Sequence, residues 1–553
     1  MAIVSCILIF MIDKLKSYLT NTPITLSQWI MAISGILMIR FFLESLSSPS
    51  ISGIIATDAP TMVHYYLFFI TVSMAMMLVL QFVLPDWKKA IPLMTLYSML
   101  LIYSAPIIDW IVSGGKGFVQ GYLYVGPNEL IHSFFTFFGP YHSPGITIGI
   151  HIELAMMFLG IGAFVYVVRK NIWWSLVSVV LMYLVAYISV IVPIVIGMIG
   201  SYLLGESVTL ASSLQFLQTT IANSATLANN IHGTLLYASF DRLLSIGFDF
   251  MMARIWFISI VFLVLWWFLT NFKRQTIAIL KNSRPERALH YLLLALFGVY
   301  LAYSQHHFVL NWNDCLVIIT LLLSFYFSWM FAVALNDVYD TDIDKISNTG
   351  RPLNDEIVSV SEMKSASFLF LVLGLVAGYL SGYYAFFYTL LFCAFYYIYS
   401  APPIRIKVLS FICPLFFGLC SLAAVMSGFF TFSSTKILTA FPTALMPVIV
   451  IAFFLVQHIK DLKDVEGDRA NGILTLPTML GSLWGPVIVG IMAGFAYIIV
   501  ALVSHNTIVW CGSLIAGFFT YWLCIRKNYV EWPIFAVYYS YSLFLVVVLI
   551  LLK

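Results

Sequence analysis

The chain reads as an all-α integral membrane protein: a nine-helix bundle in its C-terminal half, preceded by a further polytopic helical region of about six spans. Three observations carry that reading. Of 553 residues, 62% are hydrophobic and only 9% charged, against about 25% charged in a soluble domain, so there is too little charge to cover a water-facing surface. Stretches near the roughly 20 apolar residues that a span needs recur along the chain, among them Met62–Leu84, Ile146–Val168, Met251–Thr270 and Trp532–Leu552. The basic residues also fall on alternate sides of these stretches, as the positive-inside rule requires.

In the first region, residues 1–270, spans are expected at about 25–46, 62–84, 90–110, 146–168, 172–204 and 251–270. They place Lys14, Lys16, Lys88, Lys89, Arg169 and Lys170 inside, and leave Arg40, Lys116, Arg242 and Arg254 on or near the outer side. Two segments do not span in this scheme. Ser113–Gly145 is broken by Gly and Pro, and Gly205–Asp249 is rich in Ser, Thr, Asn and Gln; both are expected to face outward or to re-enter.

Residues 271–287, NFKRQTIAILKNSRPER, form a basic cytoplasmic linker with Lys273, Arg274, Lys281, Arg284 and Arg287. The second region, 288–553, holds nine apolar segments at roughly 288–305, 313–335, 366–384, 386–400, 409–430, 441–458, 484–503, 507–525 and 532–552. With the linker inside, fifteen Lys and Arg of this half lie inside, and only Lys436 and Lys553 lie outside. An error of one span would scramble that bias.

Composition also excludes. A net charge of +3 gives no footing for nucleic acid. Seven scattered cysteines (Cys6, Cys315, Cys393, Cys413, Cys420, Cys511 and Cys524), with no CxxC pair, predict neither a disulfide framework nor a thiol metal site. Met1–Ile12 has no basic start and no small-residue cleavage site, so it is not expected to be a signal peptide.

The chemistry is carried by two nine-residue stretches, NDVYDTDID at Asn336–Asp344 and KDLKDVEGD at Lys460–Asp468. Both contain D-x2-D-x3-D: Asp337, Asp340 and Asp344 match Asp461, Asp464 and Asp468, and both close a predicted span at its cytoplasmic end. On a helix, positions i, i+3 and i+7 share a face, so each stretch is expected to present a stripe of three carboxylates. Like charges on one face repel, and ionisable groups near hydrocarbon are costly and usually functional. Magnesium relieves both problems, since it takes oxygen ligands from one or two carboxylates and completes its shell with substrate phosphates. Two facing stripes suit Mg2+ ions gathered around one prenyl diphosphate, neutralising charge on the departing diphosphate while an allylic cation forms on the carbon side. Tyr339, Tyr396, Tyr397 and Tyr399 are candidate rings for that cation.

Basic residues accompany the acids: Arg351 in NTGRPL, Arg405 and Lys407 in YSAPPIRIK, and Lys460, Lys463 and Arg469 around the second motif. Arginine suits phosphate because its planar fork binds two oxygens at once.

With these motifs the second region, about 280–553, resembles the UbiA family of membrane prenyltransferases. The carriers are NDxxDxxxD at Asn336–Asp344, RPL at Arg351–Leu353, YSAPPIRIK at Tyr399–Lys407 and KDLKDVEGDRANGILTLP at Lys460–Pro477. The resemblance implies a nine-helix UbiA-like bundle. It implies transfer of an isoprenoid from its diphosphate to a lipophilic acceptor, an aromatic or quinone precursor or a glycerophosphate lipid, with magnesium, in a cavity open sideways to lipid. It places the metal on Asp337, Asp340, Asp344, Asp461, Asp464 and Asp468. Asp337, Asp340, Asp461 and Asp464 become catalytic, and Asn336, Arg351, Tyr399, Arg405, Lys407 and Lys460 become contacts to the diphosphate. VEGDRANG and TLP are similar to the branch that contains glycerophosphate-lipid, phytyl and chlorophyll-type synthases. Residues 1–270 have no counterpart in the family pattern. The partners expected are the diphosphate, the acceptor and membrane lipids in a plasma or inner membrane; the sequence names no protein partner.

Plainer readings stand beside these. Arg405 and Lys407 are explained as readily by positive-inside topology, and the tyrosines by an interfacial aromatic belt. His132, His142, His151 and Glu153 follow no metal-ligand spacing and are expected to make ordinary polar contacts. Asp342 and Glu466 lie off the stripes. The competing function is a non-catalytic lipid-binding or lipid-transport protein on the same bundle. Transporters place their sites near the membrane midplane, whereas the paired acids here lie at one end, which favours diphosphate chemistry.

Overall fold

The computed structural model describes residues 13–22, 24–47, 59–140, 145–227, 240–341, 344, 350–408, 412–463, 465–470, 474–527 and 529–551. Asp342, Asp464, Lys345, His142, Cys6 and the segment Met1–Ile12 lie outside the described residues. Among the described residues, thirteen helices are long and apolar enough to cross a membrane. The protein is therefore an all-α, multi-pass integral membrane protein. It divides into two compact units, residues 1–271 with 310–316 and residues 272–309 with 317–553.

The first unit contains α1 (Leu26–Ser47), α2 (Ala59–Val83), α3 (Ile91–Met99), α4 (Ser104–Val112), α5 (Pro127–Phe135), α6 (Ile148–Arg169), α7 (Ile172–Leu203), α8 (Leu210–Ala222) and α9 (Phe240–Asn271). A 3₁₀ turn, Leu100–Tyr103, joins α3 and α4 into one apolar stretch. Polar caps start the helices where the sequence supplies them. Thr147 accepts from the Ile150 N–H, and Asn171 from those of Trp173 and Trp174; each satisfies donors that a helix start leaves open. The Gly- and Pro-broken segment after α4 does turn back inward. Tyr122 and Leu123 are buried, and the Leu123 N–H donates to Val190 O in the body of α7 at 3.0 Å. Non-helical backbone at that depth is tolerated only where it is buried in protein and bonded.

The second unit contains α10 (Lys273–Lys281), α11 (Pro285–His306), α12 (Trp312–Tyr339) from Val317 onward, α13 (Val360–Ser381), α14 (Tyr383–Ser400), α15 (Cys413–Phe432), α16 (Leu445–Val456), α17 (Val465–Ala470), α18 (Leu476–Ser504), α19 (Thr507–Cys524) and α20 (Trp532–Leu551). The first seven turns of α12 belong to an apolar run that stops at the Asp motif. Ser359 caps α13 in a capping box with Glu362. α11 and α15 cross closely enough to need glycine on both sides: a methyl on Gly298 would overlap the Val425 carbonyl, and one on Gly428 the Ala295 carbonyl. Such small-residue crossings bring membrane helices into backbone contact.

Candidate active site

The first motif sits where α12 runs out. The helical hydrogen bonding continues beyond Tyr339, with the Asp340 N–H on Asn336 O and the Asp344 N–H on Asp340 O, both at 2.9 Å. Asp337, Asp340 and Asp344 therefore share a face as the spacing predicts, and all three are buried.

Cations cover that face. Arg351 Nη1 donates to Asp337 Oδ1 at 2.7 Å and Arg351 Nη2 lies 3.7 Å from Asp344 Oδ1. Arg405 Nη2 donates to Asp340 Oδ1 at 3.0 Å, and Lys407 Nζ donates to the same oxygen. Arg351, Arg405 and Lys407 thus meet the carboxylates directly, which topology alone does not require. Asn336 accepts from Ser400 Oγ at 3.4 Å, tying α12 to the end of α14.

Two residues that the sequence reading left in the basic linker enter the site. Asn282 Nδ2 donates to Asp337 Oδ2, and Arg284 Nη2 lies 3.8 Å from Asp337 Oδ1. Burial, with Arg351 and Arg287 beside it, pulls the Arg284 guanidinium down to about 10. The end of the expected linker thus touches the first motif. The signal available in sequence was Arg284 before Pro285, since Pro at the first helical position marks a helix start.

The second motif is not carried on one continuous α-helix. Residues Gln457–Leu462 wind as a 3₁₀ helix, and α17 begins afresh at Val465. At three residues per turn, i and i+3 eclipse. His458 and Asp461 accordingly stack, Nδ1 to Oδ2 at 3.7 Å. Asp461 is half-buried and Asp468 buried, and Asp464 lies outside the described residues. Glu466 is exposed, as expected of a group off the stripe.

Tyr399 joins the two motifs. Lys460 Nζ donates to its hydroxyl at 3.0 Å, and both Lys460 and Asp340 lie within electrostatic reach of the ring oxygen. Lys460 Nζ also sits over the faces of Tyr399 and Phe417, 5.0 and 4.4 Å from the centroids. These rings present their negative faces to a positive charge. Tyr396 is buried and packs against Tyr399 and Phe417, and Phe395, Phe416 and Cys420 complete an aromatic recess with them. Tyr339 and Tyr397 are exposed and take no part in that recess.

Among the described residues, no three His, Cys, Asp or Glu converge as a finished metal cage. The donor chemistry nevertheless fits magnesium with a polyanion. The carboxylate oxygens are hard ligands, and the buried Arg284 Nη2 and Arg405 Nε find no hydrogen-bond acceptor, leaving donors for an anion. Of the other polar residues singled out from sequence, His132 is exposed and His151 Nδ1 bonds the Thr147 carbonyl at 2.9 Å, within its own helix.

Fold and site together define a polytopic membrane protein with an acidic and basic centre, floored by aromatic rings, at one end of its second unit. This half of the chain matches, over residues 291–546, the model of the UbiA prenyltransferase family. It is 29% identical over 204 residues to the digeranylgeranylglyceryl phosphate synthase of Sulfolobus acidocaldarius, covering 36% of this chain and 70% of that protein. It is 30% identical over 160 residues to the chloroplastic chlorophyll synthase of Arabidopsis thaliana, covering 28% of this chain and 41% of that protein. Among solved structures it is similar to a UbiA homolog from Archaeoglobus fulgidus bound to GPP and Mg2+, at 21% identity and a TM-score of 0.38, covering 48% of this chain and 96% of that one.

Proposed function

We propose that the second unit is an intramembrane prenyltransferase that moves an isoprenoid from its diphosphate to a lipophilic acceptor. The observation that carries this reading is the arrangement about Tyr399, which stands between Asp340 of the first motif and Lys460 of the second. A diphosphate placed there meets carboxylates from both motifs and cations from three loops. Asp337, Asp340 and Asp344, with Asp461, Asp464 and Asp468, would hold Mg2+. When bound, the metal neutralises charge on the leaving diphosphate. Asn336, Arg351, Arg405, Lys407, Arg284 and Lys460 bind the diphosphate, and Asn282 fixes Asp337. As the carbon–oxygen bond breaks, Tyr399, Phe417 and Tyr396 face the allylic cation, and their recess excludes water from it.

The relatives named as digeranylgeranylglyceryl phosphate synthases favour a glycerophosphate lipid as acceptor. The transferase body begins near Phe272, where the second compact unit starts, and residues 1–270 form a separate membrane domain. The basic residues of the 271–287, 345–365, 401–412 and 460–480 loops support a cytoplasmic orientation of the motifs, in a plasma or inner membrane. The test is incubation of membranes carrying the full chain with labelled geranylgeranyl diphosphate, followed by mass spectrometry of extracted lipids. A labelled prenyl lipid that requires magnesium is expected. Recovery of unconsumed diphosphate under all metal conditions would reject the reading.

A further inference from the structure

The first unit keeps ionisable groups inside its helices, where they are costly and mark function. Two clusters result. In one, Asp249 accepts from Thr61 Oγ1 at 2.7 Å and meets His64 Nδ1 at 2.8 Å. His64 Nε2 meets the Tyr122 hydroxyl at 2.5 Å, and that hydroxyl also accepts from Trp256 Nε1 at 2.8 Å. Each group is spent on another, and the cluster is accounted for by holding α2, α9 and the re-entrant segment together.

The second cluster is not balanced. Arg40 on α1, only 3% exposed, donates from Nη1 to Ile102 O at 2.7 Å and from Nη2 to Gln120 Oε1. Gln120 Nε2 donates to Asp109 Oδ2 at 2.7 Å, and Asp109 also accepts from Thr147 Oγ1 at 2.6 Å and from the Gly149 N–H at 2.8 Å, at the start of α6. Asp109 thus meets three donors, and through Gln120 it is linked to Arg40. Two further carboxyls crowd the same guanidinium: Glu44 Oε2 is 4.0 Å from Nε, and Glu153 Oε2 is 4.0 Å from Nη1. Arg40 Nε, though buried, finds no hydrogen-bond acceptor. A gap of that size beside a buried donor suits a bridging water.

Glu153 is the carboxyl of the pair that opens onto space. It accepts from the Ala105 N–H at 3.3 Å and lines a cavity of about 40 Å³ with Ser73, Ser98, Met99, Met157 and Met182. That volume holds a few waters and no organic ion. Among the described residues no carboxylate, His and Cys set converges for a metal. One guanidinium stands among three carboxyls here, and a carboxylate left incompletely balanced in such a place neutralises itself by protonation.

We propose that Glu153 is an intramembrane proton-binding site fed by water in the cavity beside it. A hydronium ion arriving there passes its proton to the Glu153 carboxylate and remains as water; the reverse step restores the anion beside Arg40. The charged or titratable groups facing Glu153 are Arg40 and Glu44 from α1 and Asp109 from α4, while α2, α3 and α7 present Ser73, Met99 and Met182 to the cavity. The site is independent of the aspartate motifs and makes the first unit responsive to protons, as relays in membrane carriers are.

The test is infrared spectroscopy of the full chain in nanodiscs, titrated from about pH 5 to about pH 9, a range that brackets carboxyl groups and neutrality. The wild type should show a protonated-carboxyl stretch that shifts in deuterated water and fades as pH rises. Glu153→Gln should lose it, and Glu466→Gln, altering an exposed residue, should keep it. Absence of the band in the wild type, its survival in Glu153→Gln, or its loss in Glu44→Gln instead would each overturn the assignment. A second measurement needs no variant. A lipophilic carbodiimide, which adds to protonated carboxyls, should modify Glu153 in the wild type with a yield that falls as pH rises. Peptide mapping that finds Glu153 unmodified at low pH would equally overturn it.

Discussion

Replacing Arg351 by alanine tests whether the cations of the site also hold its walls. Asp337 is 1% exposed and Arg351 13%, so their 2.7 Å contact is a buried pair. Removing one member of such a pair costs about 3–5 kcal/mol, because the other charge stays buried without compensation. Asp337 keeps the Asn282 amide and Arg284 at 3.8 Å, so the lower end applies: about 3 kcal/mol, or about two orders of magnitude in the folding equilibrium. Asp344 loses its contact to the same guanidinium at 3.7 Å. Arg351→Lys keeps the charge but cannot fork between two carboxylates and should fall between the two. The assay is denaturant or detergent unfolding of the purified full chain, followed by fluorescence, with Arg351→Ala/Asp337→Asn completing a double-mutant cycle. The double variant should recover most of the loss, since it removes the stranded charge. If Arg351→Ala unfolds at the wild-type midpoint, or if the double variant is no more stable than the single one, the pair does not hold this end of α12.

Other outcomes follow from the same geometry. Asp461→Asn, altering a half-buried residue whose nearest basic group is His458 at 3.7 Å, should leave the melting point nearly unchanged and slow prenyl transfer about 100-fold or more, the scale of a lost metal ligand; turnover above a tenth of wild type would count against a role in metal binding. Ser361→Cys, in a background without the exposed Cys315 and Cys511, should resist an impermeant thiol reagent on intact cells and react after permeabilisation, and ready labelling of intact cells would put the motifs on the other face. Burial lowers Lys436, in the loop after α15, to about 7 from its ordinary 10.5. Between those values the unfolded chain holds the proton that the folded chain has released, so stability should rise with pH from about 7 to about 10; Lys436→Met should flatten that part of the unfolding profile, and an unchanged slope would contradict the burial argument.

The helices were legible because apolar runs of span length and basic residues on alternate sides are one-dimensional signals. The first motif was legible for the same reason, since i, i+3 and i+7 keep their meaning while α12 lasts. The second was only half legible. Nothing in KDLKDVEGD announces that Gln457–Leu462 tightens to a 3₁₀ turn. Tyr396 and Tyr399 could have been told from Tyr397 by their spacing, because i and i+3 share a face of α14 and i+1 does not. The cluster around Arg40 was not legible at all. Glu44, Asp109 and Glu153 are far apart in sequence and meet only because α1, α4 and α6 pack together, with Gln120 carried in by a loop.

The paired glycines where α11 crosses α15 have a consequence for how the second unit tolerates change. Arg287 and the N-cap Arg284 lie about 16 and about 21 Å along the helix axis from Gly298, at 1.5 Å per residue, and Cys413, beside Lys407 and Lys460, lies about 22 Å from Gly428 on the same rise. The crossing acts as a fulcrum. A methyl group at either glycine is a wedge that can be relieved only by prying the helices apart, and the far ends of both levers carry the cations of the site. Two positions with no chemistry of their own, remote from the aspartates, are thereby constrained by the spacing between phosphate-binding groups. A survey of substitutions should find them as intolerant as the carboxylates, and for a reason written entirely in the backbone.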